Sequence, residues 1–278
     1  MENDVRYPNR SRSRNTWLIV LAVVAALLLC CLIIGGLAVL FTGALGFTAI
    51  RDRGIAPARV TEETQQVLQV EPGATLEVDN FAGNILVRSG PEGQITLISR
   101  RRAPVAADLQ RIQVDVRDEM DRVEIIASQP PGPSRNWSVE FEITVPPDTV
   151  LDLDTGAGNV DVQGIEGEIV ARTGAGNVTV RDATAAVALQ TGAGNISYEG
   201  EPSGLCTFDT GAGNITLRLP QDAEVELDLN TSVGNIELGG FDVEGDIART
   251  RVTGAIGTGE QATIQADTGA GNVVLVAR

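Results

Sequence analysis

The sequence predicts an all-β protein, a single-stranded β-solenoid with an irregular β entry or cap region, preceded by one transmembrane helix. Three observations support this: a Gly-rich pentapeptide that recurs along the chain, alternating apolar and polar residues beside each copy, and a long uncharged segment near the N-terminus. The 278 residues include 31 glycines but only 4% aromatic residues. This composition is typical of a core of small aliphatic side chains crossed by many turns.

The uncharged segment spans residues 17–41, which is longer than the ~20 residues that a membrane-spanning helix needs. A cleaved signal peptide is the alternative, although its apolar region is usually only ~7–15 residues long. Residues 1–16 carry four arginines and two acids, whereas residues 51–278 carry 17 arginines and 35 acids. The positive-inside rule therefore predicts a single-pass cell-membrane protein with a cytoplasmic segment at 1–16 and an extracytoplasmic C-terminal part.

The pentapeptide Thr-Gly-Ala-Gly-Asn dominates the sequence after residue 150. Five intact copies begin at Thr155, Thr173, Thr191, Thr210 and Thr268. A variant copy occupies residues 231–235, and an early outlier occupies residues 80–84. From the first intact copy onward the asparagines are 18, 18, 19, 21 and 37 residues apart, so the last interval is about two periods.

Four apolar columns accompany the repeat, two and four residues before each threonine and five and seven residues after it. Such alternation is typical of half-buried strands, so each unit is predicted to be strand, Gly-rich corner, strand. Identical residues at identical phase favour coils that stack on one another, while a meander of β-hairpins remains the alternative. We expect a degenerate coil near residues 253–257, and the C-terminal copy at an exposed end of the stack where a partner or a second copy could bind.

The repeated glycines and asparagines are the candidate site residues, in a structural role. Glycine permits a corner with positive φ, and asparagine can hydrogen-bond corner backbone or its neighbours in the stack. The residues are Gly156, Gly158, Asn159, Gly174, Gly176, Asn177, Gly192, Gly194, Asn195, Gly211, Gly213, Asn214, Gly234, Asn235, Gly269, Gly271 and Asn272.

The rest of the chain divides into three parts. Residues 42–70 have little periodicity and are predicted to be a juxtamembrane spacer. Residues 71–150 are predicted to contain a first coil, whose apolar columns are Leu76, Val78, Ile85 and Val87, followed by the entry or cap region. Residues 151–278 are then the solenoid repeats.

Composition excludes much chemistry, because the chain has no histidine and all 21 of its basic residues are arginine. We therefore predict no catalytic residues, no cofactor and no metal. Cys206 falls in an apolar column and should be a buried, unreactive thiol. The alternating acids Asp222, Glu224, Glu226 and Asp228, with a similar pair at Asp152 and Asp154, leave calcium binding as an alternative to a solvated face.

Arg100, Arg101 and Arg102 form a basic cluster in an otherwise acidic domain. The cluster is either a solvated strand end or a contact for an anionic polymer or lipid. The net charge of the whole domain argues against nucleic acid as a partner.

The N-terminal anchor, the opening at residues 70–84, the Val-Pro-Pro-Asp at 145–148 and the Thr-Gly-Ala-Gly-Asn coils together resemble the bacterial putative-adhesin family of β-strand-repeat envelope proteins. The resemblance covers roughly residues 65–278 and implies an exported or tethered β-solenoid without catalytic residues. We therefore expect a non-enzymatic, membrane-anchored surface module, adhesin-like or an envelope scaffold, whose partner is an envelope protein or cell-wall glycan. The alternative is an accessory regulator or sensor of an envelope-stress system that acts through a membrane partner.

Overall fold

The computed structural model describes residues 59–132 and 136–278. Within these residues no helix is long and apolar enough to cross a membrane. The predicted cytoplasmic segment at 1–16 and transmembrane helix at 17–41 lie outside the described residues. The elements that are described, in chain order, are β1 (Val60–Gln69), β2 (Thr75–Asn80), β3 (Ile85–Ser89), β4 (Gln94–Ala103), α1 (Ala106–Leu109), β5 (Gln113–Glu119), β6 (Arg122–Ser128), β7 (Ser138–Val145), β8 (Val150–Thr155), β9 (Val160–Gln163), β10 (Ile169–Ala175), β11 (Val178–Ala183), β12 (Val187–Ala193), β13 (Ile196–Gly200), β14 (Gly204–Ala212), β15 (Ile215–Leu219), β16 (Val225–Val233), β17 (Ile236–Gly239), β18 (Val243–Ile247), β19 (Arg251–Ile256), β20 (Ala262–Ala270) and β21 (Val273–Ala277).

The strands form two sheets. Sheet A has the order β1-β4-β7-β3-β9-β11-β13-β15-β21-β17, and sheet B has the order β5-β6-β2-β8-β10-β12-β14-β20-β16-β19-β18. From β8 to β15 each coil adds one strand to sheet B and the next to sheet A, in parallel register, so that Thr155, Thr173 and Thr191 stand side by side. This arrangement confirms the all-β, solenoid-like prediction and shows that the hairpin meander is wrong for these strands.

The four predicted apolar columns line a core between the two sheets. Their members are buried except on β17, where Ile236 and Leu238 are only half-buried. A ring contact joins the sheets, because Tyr198 of β13 lies 5.3 Å from Phe208 of β14 between ring centroids. Burial of these small aliphatic side chains, at roughly 25 cal/mol per Å² of apolar surface, is the main stabilising term for a stack with no disulfide among its described residues.

The prediction that the C-terminal copy ends the stack is wrong. Strand β20 lies between β14 and β16, and β21 lies between β15 and β17, so the coil of residues 262–277 is inserted between two coils that precede it in the chain. The repeat pattern could not reveal this order, because neighbouring coils present the same columns to one another wherever they stand. Self-association through the C-terminal copy therefore has no free strand edge to use.

The predicted degenerate coil near residues 253–257 is also wrong. Strands β18 and β19 form an antiparallel pair, and β19 pairs antiparallel with β16, so this segment extends sheet B without entering sheet A. Glycine makes the tight pairing possible, since a Cβ on Gly254 would lie 2.4 Å from the carbonyl oxygen of Glu244.

At the other end of the stack the first coil, β2–β3, lies inside a second coil formed by β6 and β7. Beyond that coil, β5 extends sheet B, and β4 and β1 extend sheet A, all antiparallel. The prediction of a spacer over residues 42–70 is therefore wrong for residues 60–69, which form β1. Its polar sequence obscured a sheet-edge strand in which only one residue, Leu68, is buried.

Candidate functional site

The Gly-Ala-Gly corners are places where neighbouring coils touch through their backbones. A Cβ on Gly192 would lie 2.5 Å from the carbonyl oxygen of Gly174, and a Cβ on Gly194 would lie 2.0 Å from that of Gly176. Gly194 also has φ = +152°, which disfavours any residue with a side chain. Both glycines are therefore required at this corner, the first by close approach and the second by close approach and backbone conformation.

The threonines of the motif form a buried ladder that the sequence analysis missed. Each threonine hydroxyl donates a hydrogen bond to the second-glycine carbonyl of a neighbouring coil, as Thr191 Oγ1 does to Gly176 O at 2.8 Å. The same bond recurs at Thr155, Thr173, Thr210, Thr231 and Thr268. The sequence contained the information needed to predict this ladder. The apolar columns lie two and four residues before the threonine, so the same alternation directs the threonine side chain inward.

The asparagines form a second ladder along the corners. The backbone N–H of each asparagine donates to Oδ1 of the asparagine in the preceding coil, as Asn195 does to Asn177 at 2.8 Å. The ladder runs in the spatial order 84, 159, 177, 195, 214, 272, 235, with N–O distances of 2.8–2.9 Å. Arg249 Nε donates to Asn235 Oδ1 and ends the ladder. The candidate residues are thus engaged in holding coils together.

The outer face of sheet B carries the most varied polar side chains of the repeat region. A shallow groove of about 600 Å³ crosses strands β10 to β19 on this face. Its polar lining includes Arg172, Gln190, Asp209, Asp267 and Arg251. The residue before each repeat threonine supplies most of this row, so the side chain changes from one coil to the next while the backbone stays constant.

Most charged side chains that line the groove are already engaged in ion pairs or hydrogen bonds. Arg172 pairs with Asp152 at 2.9 Å, and Arg251 pairs with Asp228 at 3.4 Å. Asn230 Nδ2 donates to Asp267 Oδ2 at 3.2 Å. Asp209 projects from the middle of the row without a hydrogen bond or ion pair of this kind. The groove therefore offers mainly hydrogen-bond acceptors at its centre and paired charges at its margins.

Beside the groove, the pKa of the Asp154 carboxyl is raised above its ordinary value by burial and then by the charge of neighbouring Asp79. The two side chains stand next to each other in adjacent strands.

The predicted acidic row does not assemble into a cation site. Asp228 pairs with Arg251, and Glu224 accepts a hydrogen bond from Thr258 Oγ1 at 2.6 Å. Across residues 59–132 and 136–278 no three or more His, Cys, Asp or Glu side chains converge as metal ligands. The row is a solvated face in which individual acids have separate partners.

The basic cluster is neutralised by carboxylates on both neighbouring strands. Arg100 pairs with Glu63 at 2.7 Å and with Glu142 at 3.0 Å, and Arg101 pairs with Glu62 at 3.1 Å. Hydrogen bonding to Glu63 and Glu142 raises the pKa of Arg100 above its ordinary value. The cluster thus joins β4 to β1 and β7 and is not a free anion-binding surface.

Two buried titratable groups lie in the core beneath the face. Cys206 is fully buried, and burial raises the pKa of its thiol, as expected for an unreactive cysteine. The hydroxyl of Tyr198 is buried without a hydrogen-bond partner. Burial also raises the pKa of Tyr198.

The fold and its corners define an all-β, solenoid-like repeat protein. Residues 148–275 match the family described as Toastrack DUF4097. The resemblance drawn from the Thr-Gly-Ala-Gly-Asn coils is thereby confirmed.

Solved structures also match the chain, among them two described as adhesion proteins. A putative cell adhesion protein from Clostridium sporogenes ATCC 15579 is 16% identical, with 78% of this chain and 100% of that chain covered and a TM-score of 0.48. A putative adhesin from Bacteroides fragilis NCTC 9343 is 15% identical, with 77% and 97% covered and a TM-score of 0.37. No curated protein matches the chain.

Proposed function

We propose that the protein is a non-enzymatic, membrane-anchored surface module whose outer face on sheet B binds an envelope protein or cell-wall glycan. The observation that carries the proposal is the groove on that face, where side chains vary over a backbone fixed by the threonine and asparagine ladders. Such a face supplies extended, shallow contact rather than an enclosed reaction site.

The chemistry of the groove favours binding over catalysis. A hydrolytic site of the glycosidase type needs two carboxyl groups held on either side of a bond, with one of them poised to donate a proton. Here Asp152 and Asp228 are engaged by arginines, and the acceptors Asp209 and Gln190 suit the donors of hydroxyl-rich or amide-rich ligands.

A pair of substitutions in one coil tests the binding face. Gln190→Arg changes the groove on sheet B, and Ser197→Arg places the same side chain on the outer face of sheet A. Both variants should fold, because both positions face outward. We expect only Gln190→Arg to lower retention of the full-length protein on purified cell-wall material or its crosslinking to envelope proteins. Equal retention of the two variants would contradict the proposed face.

The proposed anchor rests on the uncharged residues 17–41 and the arginines that precede them. The topology is tested with Thr179→Cys, which places a thiol on the outer face of sheet A. Among the described residues the native cysteine, Cys206, is buried. A membrane-impermeant thiol reagent should label this variant in intact cells, and labelling only after lysis would reverse the orientation. A membrane protein crosslinked at fixed stoichiometry would instead favour the regulator or sensor.

A further inference from the structure

One end of the stack, the far end, is formed by β17, β18 and β19. At the far end the two sheets differ in length. Sheet A stops at β17, whereas sheet B continues beyond β16 through β19 and β18. Within residues 59–132 and 136–278, these last two strands therefore have no strand of sheet A opposite them. The described residues leave a strand position beside β17 unfilled, and Phe241, which follows β17, packs against the core but is only partly buried.

Several apolar side chains face this position. They belong to the alternate residues of each strand that point toward the core. On β19, Val252 pairs with the buried Leu229, and on β18, Ile247 pairs with Val252, so Ile247 belongs to the core phase. Its side chain is nevertheless 56% exposed. On β17, Leu238 is only half-buried, although Leu275 in the neighbouring strand of the same column is fully buried. The core thus continues into a place that no described residue fills.

The backbone at the far end is closed at the corner and open along the strand. Ile236 N–H donates to the carbonyl oxygen of Arg249 at 2.9 Å, and Arg249 also ends the asparagine ladder. Alternate residues of a strand direct their N–H groups to the same side. The N–H of Leu238 therefore points outward from the free edge of β17, as that of Ile236 does. Beyond the corner, β17 is an edge to which a further strand can be added.

The opposite end of the stack is finished differently. The helical turn α1 lies against β4 and β1, where it buries Leu109 and is followed by the buried Ile112. Trp137 is also buried there, and Arg111 stacks over its ring at 5.3 Å from the centroid. The contrast makes the apolar position beside β17 a specific feature of the far end.

Charge selects the kind of strand that fits. The exposed acidic residues beside the position are Glu237, on the outer face of sheet A, and Asp242, between β17 and β18; Glu244 and Asp246 lie on the outer face of sheet B and add to the negative charge of the far end. Arg249 is basic, but its side chain is already bonded to Asn235. A second copy of this chain is a poor occupant, because its edge strands at the opposite end are themselves acidic: β5 carries Asp115, Asp118 and Glu119, and β1 carries Glu62 and Glu63. Like charges facing each other across adjacent strands are destabilising.

We propose that the β17 edge binds a strand from another protein in which arginine or lysine alternates with aliphatic residues. The aliphatic residues would continue the core over Leu238 and Ile247, and the basic residues would face Glu237 on the outer surface. This edge is separate from the groove on sheet B, so the inference does not depend on the function proposed for that groove.

The test uses the full-length protein and two synthetic peptides, Arg-Val-Arg-Val-Arg-Val-Thr and its counterpart with glutamate in place of arginine. Fluorescence anisotropy measures binding, and hydrogen exchange locates it. We expect saturable binding of the arginine peptide alone, with slower exchange of the amides of residues 237–240. Protection elsewhere, or equal binding of the two peptides, would overturn the proposal.

Three variants sharpen the test. Ile247→Ser removes the exposed apolar side chain and should weaken binding about tenfold. Val67→Ser is the matched control, since Val67 is 54% exposed on the edge strand β1 at the opposite end of the stack. Glu237→Arg should shift the preference toward the glutamate peptide. Equal affinities for the Ile247 and Val67 variants, or an unchanged peptide preference for the Glu237 variant, would refute strand addition at β17.

Discussion

Replacing the second glycine of a corner tests whether backbone contact between coils holds the stack together. In Gly194→Ala the new Cβ would lie 2.0 Å from the carbonyl oxygen of Gly176, well inside van der Waals contact. The neighbouring coils must then separate at this corner by about 1.4 Å to reach an ordinary contact distance. Alanine suffices for the test, so no larger side chain complicates the result.

The cost follows from the bonds that cross this corner. Three of the hydrogen bonds that join the two coils there lie closest to the new Cβ: Gly176 N to Ala193 O, Thr191 Oγ1 to Gly176 O, and Asn195 N to Asn177 Oδ1. Weakening all three costs roughly 2–4 kcal/mol at about 1 kcal/mol each. Holding alanine at φ = +152° adds about 1–3 kcal/mol. We therefore expect the free energy of unfolding to fall by about 3–7 kcal/mol.

Urea unfolding followed by circular dichroism measures this loss in the full-length protein. The matched control is Gly73→Ala, because Gly73 has φ = +72° but no atom within 4 Å of an added Cβ. The control should lose only about 1 kcal/mol, the cost of the backbone conformation alone. Equal losses for the two variants would show that contact between the coils does not determine the need for glycine at residue 194.

The remaining predictions concern the core, the outer face and the inserted coil. Tyr198→Phe should raise the unfolding free energy by about 1 kcal/mol in the same assay, because it removes a buried hydroxyl without a partner; a loss would indicate a hidden partner. The thiol of Cys206 should react with a water-soluble reagent only after denaturation, and rapid reaction of the folded protein would contradict its burial. Asp154→Asn should raise the melting temperature at pH 7, where the raised pKa makes the carboxylate a cost to folding, and the gain should vanish as the pH falls below the ordinary value of 3.8; a gain of the same size at both pH values would contradict this reasoning. Deleting residues 262–278 should abolish cooperative unfolding of residues 204–256 as well, and a native-like transition would refute the inserted position.

The local structure of the repeat could be predicted because it depends on neighbours in sequence. Alternation places Leu153 inward and Asp154 outward, and the Gly-Ala-Gly segment specifies a corner. The inward threonines follow from the same phase. The outer face is then the set of positions left over, so its location was implied by the columns.

The order of the coils and the partners on the face could not be predicted in the same way. Strands β14, β16 and β20 present the same pattern to one another, so every order of stacking satisfies it equally well. The pairing of Arg251 with Asp228 depends on an antiparallel strand, β19, that the repeat pattern does not predict. The edge strand β1 escaped notice because a strand buried on so little of its surface leaves a weak periodicity.

The inserted coil restricts how such a chain can fold and how a longer one can arise. Between β8 and β15 each new coil docks on the one just made, with asparagine partners 18 or 19 residues apart, whereas Asn272 bonds to Asn214 across 58 residues. Residues 262–277 must enter between two earlier coils. Residues 204–277 therefore fold as one unit, through contacts between residues that are far apart in sequence, and such contacts slow folding. Duplication of a coil within residues 150–219 would lengthen the stack without disturbing that closure, whereas a coil appended after β21 would find both neighbouring positions taken.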